Sequence, residues 1–147
     1  MEVTMRIRQI SVFIENESGR LYDVTNLLGK NALNIRAMSL ADTSDFGIIR
    51  FIVNDPGKAH EILKSNDFTV GLTDVLAIAI PDKPGGLAEV LAVFNNESIN
   101  IEYMYAFVNQ SGQNAVMIFR FDDTDKALGV LNKSGMKILG ERELFNI

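Results

Sequence analysis

The sequence predicts an α+β chain made of two tandem copies of one βαββαβ unit, each a sandwich of two helices on one face of a four-stranded antiparallel sheet. Three observations predict it. The chain repeats itself in order, each copy alternates between period-two and helical apolar spacing in the same sequence, and the one length difference falls in a hairpin turn.

With Gly19 placed over Gly85, an offset of 66, Ile14 meets Ile80, Leu21 meets Leu87 and Val24 meets Val90. Without a gap, Asn34-Ile35 then falls on Asn100-Ile101 and Met38 on Met104. Two extra residues around Asn109–Gln113 change the offset to 68, after which Phe51 matches Phe119 and Asp55 matches Asp123. Lys58-Ala59 matches Lys126-Ala127, and Leu63 matches Leu131. Ordered matches with one small insertion in a turn indicate duplication, with residues 1–73 as the first domain and 74–147 as the second.

The elements follow in turn. Ile10, Val12 and Ile14 alternate along Ile7–Ile14, a half-buried strand, and Leu76, Ile78 and Ile80 do the same along Val75–Ile80. A glycine-containing loop leads into a helical stripe of Leu21, Val24, Leu27 and Leu28, and in the second copy Leu87, Val90, Val93 and Phe94. Asn31-Ala32 and Glu97-Ser98 close these helices, and strands are expected over Leu33–Ala41 and Ile99–Val108. The turns Asp42–Asp45 and Asn109–Gln113 lead into strands Phe46–Val53 and Asn114–Phe121. Asp55 before Pro56, and Asp123 before Thr124-Asp125, are suited to cap a second helix in each copy. Final strands are expected near Phe68–Thr73 and Lys137–Leu144. This order, twice over, is the ferredoxin-like split βαβ arrangement.

Val75, Ala77 and Ala79 are apolar on the side of their strand opposite the core row, as are Val116 and Ile118 on theirs. A strand apolar on both faces expects cover on both. The pattern predicts sheets packing on one another, within one chain or between the chains of a homodimer.

Of the 147 residues 47% are apolar and 22% charged, the balance of a folded globular chain. No apolar run approaches the ~20 residues of a membrane helix, and the opening Met1–Arg6 lacks a basic head followed by an apolar stretch, so the expected location is cytoplasmic. A net charge of −5, with Arg6 and Arg8 as the one basic cluster, argues against nucleic acid as a partner. The absence of cysteine removes disulfides and thiolate metal sites, and no carboxylate spacing suggests a metal.

The most informative segments join the first strand to the first helix of each copy: Ile14-Glu15-Asn16-Glu17-Ser18-Gly19-Arg20-Leu21 and Ile80-Pro81-Asp82-Lys83-Pro84-Gly85-Gly86-Leu87. Free N–H groups at a helix start, with the helix dipole, favour an anion, and glycine lets a ligand approach the backbone. An amino-acid carboxylate fits such a place, with Asn16 or Asp82 as an acceptor for its ammonium group. The same residues also read as plain turn chemistry.

The pattern Asn/Asp-x-Pro-Gly-x-Leu after a strand, then a helix, then Asn-Ile opening the next strand, resembles the ACT domain. The second copy carries it in Asp82, Pro84, Gly85, Leu87, Asn100 and Ile101. The first keeps Asn16, Gly19, Leu21, Asn34 and Ile35, with Ser18 in place of the proline. The resemblance covers almost the whole chain and includes no catalytic domain.

ACT domains are attached to enzymes such as phosphoglycerate dehydrogenase, aspartokinase and the acetolactate synthase regulatory subunit. What the resemblance implies is a regulatory protein that binds a free amino acid, with no catalytic residue, metal or cofactor of its own. In the family, neighbouring units join through their second strands, and the effector lies between one unit's glycine loop and the start of the partner's second strand. Carried over, the ligand-binding residues are Asn16, Glu17, Ser18, Gly19, Arg20 and Leu21 in the first loop. In the second they are Asp82, Lys83, Pro84, Gly85, Gly86 and Leu87, and Asn34 and Asn100 are the strand residues. A homodimer and a metabolic enzyme partner follow as expectations.

Three other readings stay open. Acylphosphatases share the βαββαβ fold and use a loop arginine with a second-strand asparagine, which Arg20 and Asn34 match superficially, although Gly86 replaces the arginine in the second copy. RNA-binding modules of this topology present third-strand aromatics, here Phe51 and Phe119, but the chain lacks their basic signature. A regulatory subunit that docks on a metabolic enzyme without its own ligand is the third. The single histidine, His60, has no cysteine or second histidine near it, and Tyr103 and Tyr105 read as sheet packing or as a pocket wall.

Overall fold

Alternation along Ile7–Glu15 forms β1, whose Ile10, Val12 and Ile14 are buried, and the helical stripe that follows forms α1 (Arg20–Lys30). In the computed structural model, which describes residues 5–15, 17–42, 45–107 and 114–145, there follow β2 (Ile35–Asp42), β3 (Phe46–Val53) and α2 (Pro56–Ser65). The last strand expected of the first copy and the first expected of the second form a single element, β4 (Thr69–Pro81). After it come α3 (Gly86–Asn95), β5 (Ile101–Phe107), β6 (Asn114–Phe121), α4 (Thr124–Ser134), β7 (Ile138–Leu139) and α5 (Glu141–Phe145). The turn at Asn109–Gln113 and part of that at Asp42–Asp45 lie outside the described residues.

The chain divides into two compact units, one Arg8–Thr73, the other Asp74–Ile147 with the N-terminal stretch that ends at Ile7. That stretch is tied to its unit by Arg6, which pairs with Asp74 at 3.4 Å and with Asp125, and by Met5, which packs against the core there.

In the first unit β3 pairs antiparallel with β1 (Ile10 opposite Phe51, Val12 opposite Ile49) and with β2 (Met38 opposite Phe51). In the second the order is β5-β6-β4-β7, all antiparallel, with Leu76 and Met104 opposite Phe119. Both second strands shift register at the same place, between Ile35 and Ala37 and between Ile101 and Tyr103, directly after the two asparagines.

Helices and sheet bury the predicted stripes against each other. Val24, Leu28, Ile49, Phe51 and Leu63 form the first core, and Leu76, Val90, Phe94, Phe119, Phe121 and Leu131 the second. Where the first unit has Leu28, Phe51 and Val53, the second has Phe94, Phe119 and Phe121, whose ring centroids lie 4.8 to 6.3 Å apart. Phe51 and Phe119 are wholly buried on this helix side, so neither offers a face for stacking a base.

All four long helices end alike. Ala32, Asp67, Ser98 and Gly135 take positive φ of 59°, 67°, 56° and 70°. The next residue's N–H bonds back to the carbonyl of Leu28, Leu63, Phe94 or Leu131 at 3.0 to 3.3 Å, the Schellman arrangement. The repeat thus extends to the backbone, at positions where side chains differ.

Val75, Ala77, Val116 and Ile118, on the other face of their strands, are buried as well. Since this burial occurs within one chain, it is no argument for a second chain. The C-terminal element also differs: the strand near Lys137–Leu144 is only Ile138–Leu139, after which the chain turns helical with the Leu144 N–H on the Gly140 carbonyl at 2.9 Å. Glu141-Arg142-Glu143 are good helix formers and poor strand residues, and two acids in a first turn suit the helix dipole.

Candidate functional site

The loops after β1 and β4 are built on one scheme. The Glu17 N–H bonds the Glu15 carbonyl at 2.8 Å, and Arg20 N–H the Glu17 carbonyl at 3.3 Å. In the second unit Lys83 N–H bonds Pro81 O at 2.9 Å, and Gly86 N–H bonds Lys83 O at 3.0 Å. Gly19 and Gly85 then stand at the helix N-caps with φ of 90° and 83°, a conformation that favours glycine. Among the described residues neither helix start donates a hydrogen bond to a capping side chain, and the N-cap glycines have none of their own. The second helix of each unit does: Asp55 accepts from Lys58 N–H at 3.1 Å and Asp123 from Lys126 N–H at 3.0 Å. Helix starts bare of side-chain caps therefore recur only behind the two glycines among these four helices, leaving first-turn N–H groups open to an acceptor from outside.

Of the predicted loop residues, Glu17, Ser18, Gly19, Asp82, Lys83, Pro84 and Gly85 are exposed, and Asn16 lies outside the described residues. Leu21 and Leu87 are half-buried and pack against their cores, which anchors the loops. Gly86 is buried, and a Cβ there would stand 2.0 Å from the Pro81 carbonyl oxygen. Its counterpart Arg20 lays its guanidinium 5.0 Å from the centre of the Phe68 ring, with Asp23 at 3.4 Å and Glu15 at 3.9 Å. Its Nε is buried without a hydrogen-bond partner. Lys83 and Glu89 approach to 3.9 Å, both well exposed.

Asn34 and Asn100 are exposed just before β2 and β5. The strand end beyond each hairpin holds their main chains: Asn34 N–H donates to Asn54 Oδ1 at 3.0 Å and Asn100 N–H to Asp122 Oδ1 at 3.2 Å. Within a unit neither asparagine meets its own glycine loop, because the whole of α1 or α3, ten or eleven residues and so roughly 15 Å, lies between them. The same separation keeps Arg20 from Asn34, so the acylphosphatase-like pair is not assembled within the first unit.

One feature that sequence reasoning did not find lies in the second unit: an open depression of 530 Å³ along α3, lined by Ala88, Leu91, Ala92, Phe94 and Asn95 and bordered by Ile99, Asn100 and Ile101. The signal was present in the repeat, since Ala88, Leu91, Ala92 and Asn95 stand where the first copy has Tyr22, Thr25, Asn26 and Gly29. Tyr105 is buried, as sheet packing requires, and His60 is half-buried on α2. Among the described residues no three His, Cys, Asp or Glu side chains group as metal ligands, and no helix is long and apolar enough to cross a membrane.

The family described as the ACT domain pair matches residues 5–147. The crystal structure of protein BT0572 from Bacteroides thetaiotaomicron is 42% identical, covering 97% of this chain and 98% of its own, with a TM-score of 0.91. The ligand-free regulatory subunit of aspartate kinase from Thermus thermophilus shares the fold at 14% identity, covering 90% of this chain and 94% of its own, with a TM-score of 0.62. Aspartate kinase from Clostridium acetobutylicum shares it at 13% identity and a TM-score of 0.54, over 86% of this chain but 32% of that one. No curated protein matches the chain in sequence.

Proposed function

The chain belongs to the ACT-domain-pair family, and on that footing we propose that it is a cytoplasmic sensor of amino-acid metabolism that binds a free amino acid and catalyses no reaction of its own. One observation carries the proposal: in both units the helix behind the positive-φ glycine starts without a side-chain cap, while the second helix is capped by aspartate. A carboxylate is the acceptor such a start lacks, and Asp82 in the second loop offers an acceptor for an ammonium group.

The ligand lies between the glycine loop of one unit and the asparagine of another, Asn34 or Asn100, because a single unit keeps the two apart. A homodimer follows as the assembly that supplies such junctions, and a monomer mass by analytical ultracentrifugation at micromolar concentration would count against it. A thermal-shift screen against the twenty amino acids tests the reading as a whole, since a ligand bound to the folded state alone raises Tm. At least one is expected to do so at millimolar concentration. Asp82→Ala and Asn100→Ala are expected to weaken that ligand's effect, and unchanged binding in both removes the proposed site.

A second reading has its own support. Phe13 and Phe46 are 51% and 60% exposed on one face of the β1–β3 pair, a surface suited to a protein partner. The fold likeness to a regulatory subunit of aspartate kinase makes a metabolic enzyme the partner to test. Co-purification with a catalytic subunit, lost in Phe13→Ser, together with no heat from any amino acid in calorimetry, favours docking alone.

A further inference from the structure

We propose that the depression beside α3 is a side-chain subsite and that the amino acid it selects is neutral, with a large apolar side chain. The inference rests on the amino-acid-sensor reading and adds the class of ligand to it.

Ala88, Leu91, Ala92 and Asn95 fall at i, i+3, i+4 and i+7 of α3 and so share one helix face. An outward helix face is ordinarily polar, as the matching positions Tyr22, Thr25, Asn26 and Gly29 largely are in the first unit. Here two alanines hold space open, and Leu91 with the isoleucines flanking Asn100 makes the walls apolar. The volume of 530 Å³ is in the range of small-molecule sites, roughly 300–1,000 Å³.

The wall carries no Asp, Glu, Lys or Arg, and its polar side chains are the amides of Asn95 and Asn100. A charged ligand side chain lying here finds no counter-ion on the wall, and its charge adds nothing to the contact. A glycine, alanine or serine leaves the apolar wall uncovered. A leucine-, isoleucine-, methionine- or phenylalanine-sized group fills it. Asn100 belongs both to this wall and to the proposed ligand junction, so one molecule meets both.

Calorimetric titration of the full chain with leucine, isoleucine, methionine, phenylalanine, alanine, serine, aspartate and lysine tests the inference. One of the first four is expected to bind at least about tenfold more tightly than alanine, the scale set by removing methylene groups from an apolar site. Ala92→Asn and Leu91→Thr introduce the first unit's residues on this face. Each is expected to weaken binding about tenfold or more, with the ligand-free circular dichroism spectrum unchanged. Ala92 is exposed, so that variant keeps its fold even if Leu91→Thr does not.

Tighter binding of aspartate, lysine or serine overturns the apolar class and leaves the sensor reading standing. Apolar binding that both variants leave intact overturns the placement of the subsite. No binding by any amino acid overturns the sensor reading itself, and this inference with it.

Discussion

The loop after β1 and the loop after β4 share their backbone hydrogen bonds and their left-handed glycine, yet they are closed by different means. In the second, the chain folds so tightly that position 86 has no room for a side-chain carbon beside the Pro81 carbonyl. In the first, the equivalent position carries Arg20, whose guanidinium spans from the Phe68 ring to the carboxylates of Glu15 and Asp23. Duplication kept the scheme that leaves the helix start uncapped and let what surrounds it diverge. The second loop is held by backbone proximity, which salt does not weaken, and the first by a charged clamp that salt screens.

The largest expected effect breaks the second loop alone. Gly86→Ala places a methyl group against a backbone oxygen that cannot swing away, and is expected to cost on the order of 3 kcal/mol in urea unfolding. A loss below half a kcal/mol means that the loop opens freely.

Next, Gly19→Ala and Gly85→Ala test what the loops share. Both glycines have positive φ and open space around the missing Cβ, so each substitution is expected to cost about 1–2 kcal/mol through backbone strain, equally in the two units. A clear inequality breaks the claim of one common backbone.

Asp55→Ala and Asp123→Ala are each expected to lower stability by about 1 kcal/mol by removing a cap. Ser18→Ala, one residue before the uncapped start of α1, is expected to stay within about 0.5 kcal/mol. Should Ser18→Ala cost as much as the aspartates, α1 is capped in solution and the contrast between first and second helices fails.

Arg20→Ala falls between the aspartate caps and Ser18→Ala. A half-exposed guanidinium over a ring contributes about 0.5–1 kcal/mol, and its exposed ion pairs add little. Thermal melts at low and high salt are expected to converge for wild type and Arg20→Ala, while the Gly86→Ala deficit persists.

Most of the fold was legible because its signals are local. The alternation of Ile10, Val12 and Ile14 and the stripe of Val24 and Leu28 announce their own faces, and the β3 and β6 bounds, Phe46–Val53 and Asn114–Phe121, follow from residues that turn signals flank. The C-terminal segment was less legible: Ile138-Leu139 reads as a strand start, but the helix-forming run Glu141-Arg142-Glu143 ends it. The candidate site was legible as two loops and two asparagines. Its subsite was not, because the core stripe of Leu87, Val90, Val93 and Phe94 passes over Leu91, which packs against that core and also lines a depression.

The sequence by itself determined the duplication, the order of elements as far as α4 and the positions of the glycine loops, since periodicity and turn chemistry are properties of neighbouring residues. Only the tertiary structure decided two further matters. It placed Phe51 and Phe119 in the cores and away from any nucleic-acid face, and it brought the Pro81 carbonyl against position 86. Each of these is a distance or a facing between segments that packing brings together or holds apart, and no local period in the chain encodes it.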